Sequence, residues 1–278
     1  MTAGPIAPGP MTAASDRFGR PALRRALAAV ATGVAAAVAL ATSALPARAA
    51  EIRVLTAGAF KPIVTSLAPV FEQRTGNTLV VDNDTAGALE KRILAGETFD
   101  FVVLPPAGLD RLVKQGAVAD APARLARVAI GVAVKEGAAP PDISTPESFR
   151  QALLDARRVA FIDPAAGGSS GIYLSQLFAK WGIAAQIDAK AVLVPGGLVA
   201  QRLVTGEADL ALHQISEILA VPGVTLVGPL PAAIQNYTVY AGGIAARSPD
   251  PTAARALLVF LGGPDAAAVL RERGMEPP

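Results

Sequence analysis

The sequence contains no cysteine and only one histidine among its 278 residues, and charged residues make up just 17% of it. Without cysteine there are no disulfides, so a hydrophobic core alone has to stabilise the fold. The lack of cysteine and the single histidine also exclude the Cys- and His-rich sites that bind structural zinc. The sequence therefore predicts no metal site and no cofactor.

The N-terminus has the three parts of an export signal. Four arginines lie between residues 17 and 25, residues 26–45 carry no charge, and residues 46–49 read Pro-Ala-Arg-Ala, with small residues where a signal peptidase cuts. We expect cleavage after Ala49 and a periplasmic protein. A membrane anchor is the alternative, because the uncharged segment is about as long as a membrane helix. The paired arginines leave the export route open, Sec or twin-arginine, and Met11 is an alternative start.

Removal of this leader changes the charge of the protein. Residues 1–49 contain five arginines and one aspartate, so the remaining chain has 20 basic and 22 acidic residues and a net charge of −2. Nucleic-acid binding would need a clustered basic face, which the sequence does not offer. The remaining residues, about 229, are enough to bury a core, and we expect a monomer.

Short apolar segments alternate with segments of helical periodicity along the mature chain. The predicted strands cover residues 52–56, 78–82, 99–104, 159–162, 191–194 and 208–213. Strand–helix alternation is typical of βαβ units, whose crossovers give mostly parallel sheets. We therefore expect an α/β fold.

Two predicted strands, 126–134 and 237–246, are unusually long. They flank a block of about 100 residues, which is a common domain size. We expect a first lobe of residues 50–131 plus 241–278 and a second lobe of residues 132–240, joined by these strands as a hinge that closes on a ligand. The alternative is one continuous α/β domain.

Four loops of small residues follow predicted strands and lead into helices. Ligands of parallel sheets bind beyond the carboxyl ends of the strands, and the first amides of a helix attract anions. The predicted ligand-binding residues in these loops are Gly58, Ala59, Phe60, Lys61, Thr85, Ala86, Gly168, Ser169, Ser170, Gly171, Gly196 and Gly197. The alternative for the third loop is that Ser169 or Ser170 only caps its own helix.

Three longer polar side chains complete the candidate site. Lys61 is the expected counter-charge for an anion, or else a solvated surface lysine. His213 and Gln214 lie where a buried strand ends. His213 is either a structural histidine or a hydrogen-bond donor or acid–base group for the ligand. If the protein is an enzyme, His213 and Lys61 are the expected catalytic residues.

Several segments resemble those of a known family. They are Thr-Ala-Gly-Ala-Leu at 85–89, Phe-Asp-Phe-Val-Val at 99–103, Val-Ala-Val at 132–134, Asp-Pro at 163–164 and Gly-Glu-Ala-Asp-Leu-Ala at 206–211. In this combination the chain is similar to the exported type II solute-binding proteins related to the periplasmic molybdate-binding protein. The resemblance implies a two-lobed periplasmic-binding-protein fold, each lobe a mostly parallel sheet flanked by helices, that holds an anion in its cleft.

The sequence departs from the molybdate binders at the ligand. Their first loop resembles Ala-Ala-Ser-Leu and offers a serine hydroxyl, whereas residues 58–61 here are Gly-Ala-Phe-Lys. Their ligand-contacting tyrosine is replaced by His213 and Gln214. Lys and His side chains suit carboxylates, to which they donate charge-assisted hydrogen bonds. In these features the chain resembles a branch of the family that includes exported aconitate isomerase.

The resemblance implies two functions. The first expectation is a solute-binding protein that closes on a small anion, an oxyanion such as molybdate or a polycarboxylate, and delivers it to an ABC permease in the inner membrane. The alternative is an isomerase that interconverts cis- and trans-aconitate by proton transfer. An exported binding protein that serves a sensor is a third option.

Overall fold

Ten strands and ten α-helices are present in the described part of the chain, which in this computed structural model comprises residues 1–5, 7, 9, 49–119 and 122–278. The residues of the predicted leader, from 11 to 48, lie outside it, so the signal peptide stays a prediction. The segment from Ala49 to Pro278 is one compact unit, and it carries all the elements below.

The strands are β1 (Glu51–Ala57), β2 (Thr78–Asp84), β3 (Phe101–Leu104), β4 (Ala123–Lys135), β5 (Val159–Ile162), β6 (Ala191–Val194), β7 (Leu210–Gln214), β8 (Val224–Pro229), β9 (Tyr237–Ile244) and β10 (Met275–Glu276). The helices are α1 (Lys61–Thr75), α2 (Ala86–Leu94), α3 (Pro106–Lys114), α4 (Pro146–Asp155), α5 (Ser169–Lys180), α6 (Ala184–Asp188), α7 (Gln201–Val204), α8 (Ile215–Ile218), α9 (Pro251–Leu261) and α10 (Pro264–Glu272). Three short 3₁₀ turns cover Gly58–Phe60, Pro164–Ala166 and Ala232–Ile234.

The strands form one mixed sheet in the order β2-β1-β3-β9-β4-β7-β5-β6, and β8 and β10 also pair with β4. Pairing is parallel between β1 and β2, β1 and β3, β5 and β6, and β5 and β7. The partners of β4 and β9 are antiparallel. The expected α/β class is confirmed, and parallel pairing is confined to the two ends of the sheet because the two long strands run against their neighbours.

Strand β4 changes partners along its length. Its first part, up to Ala129, pairs with β9 and β10, and its second part, from Ile130, pairs with β7 and β8. The buried apolar side chains divide at the same place. One cluster draws on residues 52–129 and 240–275 together with Ile215, and two more draw on residues 130–230.

Local chemistry explains where the helices that carry the site begin and end. Helix α1 starts with Lys61 and Pro62, where the missing N–H of proline has no cost, and ends at Gly76 in the left-handed conformation, with φ 73°. Thr85 caps α2 by accepting a hydrogen bond from the Ala88 amide. Helix α5 begins at Ser169, three residues before its apolar periodicity, with Gly168 at the N-cap and no side-chain cap.

Among the described residues no single helix has the length and apolar composition needed to cross a membrane. The consecutive helices α9 and α10 meet that requirement only when taken together, and they are bent by 57° at the break between them.

Candidate functional site

One pocket collects residues from the loops that follow β1, β2, β5, β6 and β7. Its lining consists of Ala57, Gly58, Ala59, Asn83, Asp84, Thr85, Ala86, Ile162, Gly168, Ser169, Ser170, Gly197, His213, Gln214, Glu217 and Tyr240. The carboxyl ends of parallel strands meet at one edge of a sheet, which is where this fold type places ligands. The space that these residues line is called the pocket below.

The chemical centre of the pocket is a buried pair, His213 and Glu217. His213 is the penultimate residue of the buried strand β7, and Glu217 follows four residues later in the short helix α8, so the turn between strand and helix brings the two side chains together. The distance from His213 Nε2 to Glu217 Oε2 is 3.2 Å, and the two side chains are only 3% and 8% exposed. Within the described part of the chain, His213 Nδ1 has no hydrogen-bond partner.

Burial shifts both groups of this pair toward their uncharged forms. It lowers the pKa of His213 to about 3 and raises the pKa of Glu217 to about 8, because a low-dielectric environment penalises the charged form of each. His213 is therefore neutral at physiological pH. Glu217 is the group that gains and loses a proton near neutrality, as a general acid–base catalyst must.

Gly58 positions the second carboxyl oxygen of Glu217. A Cβ at residue 58 would lie 2.5 Å from Glu217 Oε1, so a side chain there would displace the carboxyl group. The next residue along is tied to the same segment, since Ser216 Oγ donates to the Ala59 carbonyl at 2.9 Å. The loop after β1 and helix α8 therefore hold each other in register, with the Glu217 carboxyl group between them.

Gln214 adds a second buried polar group without a full set of partners. Its Nε2 donates to Thr238 Oγ1 at 2.8 Å, but its Oε1 has no partner among the described residues. Buried polar atoms in native proteins are nearly always hydrogen-bonded. Two such atoms in one pocket, Gln214 Oε1 and His213 Nδ1, therefore indicate that a polar ligand or water completes the site. Nearby Tyr240 is also buried, and burial together with the charge of Glu217 raises its pKa.

Helix α5 supplies backbone donors to the pocket. Because no side chain caps its N-terminus at Gly168, its first amides remain donors with a partial positive charge. The glycines around it allow close packing on β5. A Cβ at Gly168 would meet Ile162 Cγ2 at 2.5 Å, and one at Gly171 would meet the Ile162 carbonyl oxygen at 2.1 Å.

The loops after β2 and β5, which both contribute to the pocket lining, touch each other. The Gly87 amide donates to the Gly167 carbonyl at 3.1 Å, and Thr85 Oγ1 donates to the Ala166 carbonyl. A Cβ at Gly87 would lie 2.9 Å from Gly167 Cα, and one at Gly167 would lie 2.8 Å from Gly87 Cα. The structure therefore has a close contact between these two loops that depends on two glycines.

The structure brings together most of the residues expected at the site. Those that line the pocket are Gly58, Ala59, Thr85, Ala86, Gly168, Ser169, Ser170, Gly197, His213 and Gln214. Four expected residues do not line it. Phe60 is fully buried in the core, with its ring 6.1 Å from that of Tyr240. Gly171 packs on the backbone of β5, Gly196 lies beside Asp84, and exposed Lys61 lines the neighbouring groove.

Several lining residues were not among the expected ligand-binding residues, and Glu217 is chemically the most important of them. From the sequence, Glu217 either orients His213 or starts the next helix, and its burial in the pocket is what the fold adds. Asn83, Asp84 and Tyr240 also line the pocket. The first two end β2, directly before the loop at Thr85 and Ala86 that the sequence did indicate.

Comparison with known proteins gives a family and a fold. Residues 52–276 match the family of bacterial extracellular solute-binding proteins. An aconitate isomerase from Pseudomonas sp is 37% identical over 233 residues, which is 81% of this chain and 87% of that protein.

Solved structures with this fold include the periplasmic molybdate-binding protein of Azotobacter vinelandii, with a TM-score of 0.68 at 20% identity, covering 82% of this chain and 99% of that one. They also include a sulfate-binding protein of Mycobacterium tuberculosis, with a TM-score of 0.66 at 19% identity, covering 82% and 87%. The fold is thus that of the periplasmic binding proteins, and the chain belongs to the family of bacterial extracellular solute-binding proteins.

Proposed function

We propose that this protein is a periplasmic isomerase that moves a proton, and with it a double bond, within a small unsaturated polycarboxylate, and that its reaction is the interconversion of cis- and trans-aconitate. The observation that carries the proposal is the buried pair of His213 and Glu217 in the pocket. A pocket that only binds an anion has no need of a group whose proton state changes near neutrality, whereas a proton-transfer enzyme does. The identity of 37% to an aconitate isomerase supports the same reaction.

Glu217 is the proposed proton carrier. Its ionised carboxylate takes a proton from the substrate methylene, so the C–H bond breaks and an O–H bond forms at Oε1. The electron pair moves into the carbon chain and onto the adjacent carboxylate. Glu217 then returns a proton to the carbon that was previously vinylic, so the double bond has moved by one position and the carboxyl group is ionised again. A pKa of about 8 lets one group serve as base and then as acid.

His213 is the proposed positioning residue for that carboxylate. Its Nε2 lies 3.2 Å from Glu217 Oε2 and holds that oxygen in place, which leaves Oε1 beside Gly58 for the substrate. This assignment replaces the sequence-based expectation that His213 is the base, because a histidine whose pKa is lowered to about 3 is a poor proton acceptor.

The uncapped N-terminus of α5 is the proposed anion hole. The transition state places negative charge on a substrate carboxylate, and fixed amide donors stabilise developing charge without reorganising. Ser169 and Ser170 open this helix and line the pocket, so their amides are the proposed donors.

Opening and closing follow from the proposed two-lobe division, with residues 50–131 and 241–278 in the first lobe and 132–240 in the second. The change of partners along β4 and the division of the core at residue 130 support it. The ligand then enters when the contact between Gly87 and Gly167 is broken.

The second candidate function is delivery of a small anion to an ABC permease. The family membership and the oxyanion-binding proteins that share the fold favour it. A binding subunit needs the amide donors and the contact between the two loops but no proton carrier, so Glu217 separates the two functions.

Incubation of the purified protein with cis-aconitate, followed by chromatography for trans-aconitate, tests the proposal. We expect turnover by the wild type, and a loss of at least about 100-fold for Glu217→Gln, the usual order for a missing acid–base group. The exposed Glu136→Gln variant is the matched control. No turnover by the wild type, together with thermal stabilisation by molybdate or by aconitate, would instead favour the binding protein.

A further inference from the structure

Next to the pocket lies a groove that has no assigned role. It has a volume of about 510 Å³ and shares Gly58, Asn83, Gly197 and Glu217 with the pocket. The rest of its lining consists of Lys61, Pro62, Thr65, Ser66, Leu198, Gln201, Ala220 and Arg273. The two spaces are therefore continuous, with the carboxyl group of Glu217 at their junction.

We propose that this groove is a carboxylate subsite, in which Lys61 and Arg273 bind the central carboxylate of a tricarboxylate, the one that is not attached to a reacting carbon and that glutarate lacks. The inference rests on the proposed function for the identity of the substrate. It extends that function because it names the residues that distinguish tricarboxylates from dicarboxylates.

The charge of the groove favours an anion. Lys61 and Arg273 are its two cationic side chains, and neither forms an ion pair within the described part of the chain. The one acidic residue of the lining is Glu217, which is buried beside His213. The hydroxyl groups of Thr65 and Ser66 and the amide of Gln201 add polar partners.

Arg273 is held in place but is not fully satisfied. Its Nη2 donates to Ser66 Oγ at 3.2 Å, whereas its Nε is buried without a partner among the described residues. Arg273 also lines the groove, where a carboxylate can pair with its guanidinium group through two parallel hydrogen bonds. Lys61, at the start of α1, can add a second charge from the exposed side of the groove.

The sizes of the two spaces support the same division of the ligand. In this structure the pocket has a cavity volume of only about 30 Å³, which suits one or two water molecules. A tricarboxylate does not fit in that volume alone. With its reacting carbons at Glu217, a terminal carboxylate can lie at the N-terminus of α5 while the central carboxylate extends into the groove.

Calorimetric titration of the purified protein with tricarballylate and with glutarate tests this assignment. Both compounds are saturated and cannot be isomerised, so the measurement does not depend on turnover. For Lys61→Gln and for Arg273→Gln we expect tricarballylate to bind at least about 10-fold more weakly, and glutarate to change by less than about 2-fold. The control is Lys180→Gln, which removes one positive charge from the exposed C-terminal end of α5 and is expected to leave both affinities unchanged.

Equal losses for the two ligands, or no loss for tricarballylate, would overturn the subsite. Lys61 is exposed, so the Lys61→Gln variant decides the question if Arg273→Gln does not fold. The proposed function can fail independently: a wild type that binds tricarballylate through Lys61 but does not convert aconitate would keep the subsite and lose the isomerase.

Discussion

The pH dependence of stability offers a test of the His213–Glu217 pair that needs no substrate. The substitution is Glu217→Gln, which keeps the shape of the side chain and removes its ionisable group. In the wild type, burial raises the pKa of Glu217 from 4.5 to about 8. Between these pH values the folded protein holds a proton that the unfolded chain has released, so this contribution to stability is complete below pH 4.5 and is lost as the pH rises to 8.

His213 acts in the opposite direction at lower pH. Burial lowers its pKa from 6.5 to about 3, so between these values the unfolded chain binds the additional proton and stability rises with pH. The two effects oppose each other between pH 4.5 and 6.5. The pair therefore predicts rising stability below that range, little change within it, and a fall from pH 6.5 to 8 that is caused by Glu217 alone.

The expected loss of stability between pH 6.5 and 8 is large enough to measure. One proton changes the free energy of unfolding by about 1.4 kcal/mol per pH unit, so between pH 6.5 and 8 the wild type should lose between about 1 and 2 kcal/mol relative to Glu217→Gln. For a domain of this size that corresponds to roughly 2–8 °C in Tm. Other titrating groups contribute equally to both proteins and cancel in the difference.

Thermal unfolding of wild type, Glu217→Gln and the control Glu136→Gln at pH 6.5 and pH 8 provides the assay. We expect the wild type and the control to lose stability relative to Glu217→Gln. An equal change in stability between pH 6.5 and pH 8 for all three proteins would mean that Glu217 does not titrate in this range. It would then not be a proton carrier near neutrality.

Three further changes test other parts of the site. Gly87→Ala should weaken tricarballylate binding by at least about 10-fold in calorimetry, because its methyl group would meet Gly167 2.9 Å away and hold the two loops apart; unchanged affinity would exclude this contact from closure. Gly58→Ala should abolish aconitate turnover while circular dichroism stays native, because a methyl group 2.5 Å from Oε1 displaces the carboxyl group of Glu217; full activity would contradict that placement. Thr85→Ala should lower the free energy of unfolding in urea by about 1 kcal/mol, since it removes the cap of α2; a loss of zero would argue against the cap.

The sequence predicted the sheet and the pocket where local signals are strong. Proline and glycine at helix boundaries, such as Pro62 and Gly76, placed α1 correctly. The small-residue loops identified most of the pocket lining. Strand β8 escaped prediction because Val224–Pro229 is only partly buried and has a glycine, Gly228, near its end.

The chemistry of the site was harder to predict because it depends on tertiary packing. Lys61 was expected beside the small-residue loops from its place after β1, but it starts helix α1 and lines the groove and not the pocket. Arg273 is 207 residues from Ser66 in sequence, and only the tertiary fold brings the two side chains together at the groove. The raised pKa of Glu217 likewise comes from burial, which no local pattern reveals.

Proton NMR of cis-aconitate incubated with the protein in deuterium oxide shows whether Glu217 carries the proton. We expect wild type and Glu136→Gln to form trans-aconitate with deuterium entering the methylene and vinylic positions, and Glu217→Gln to form neither the product nor the exchanged substrate. Isomerisation by Glu217→Gln at the wild-type rate would contradict this role of Glu217.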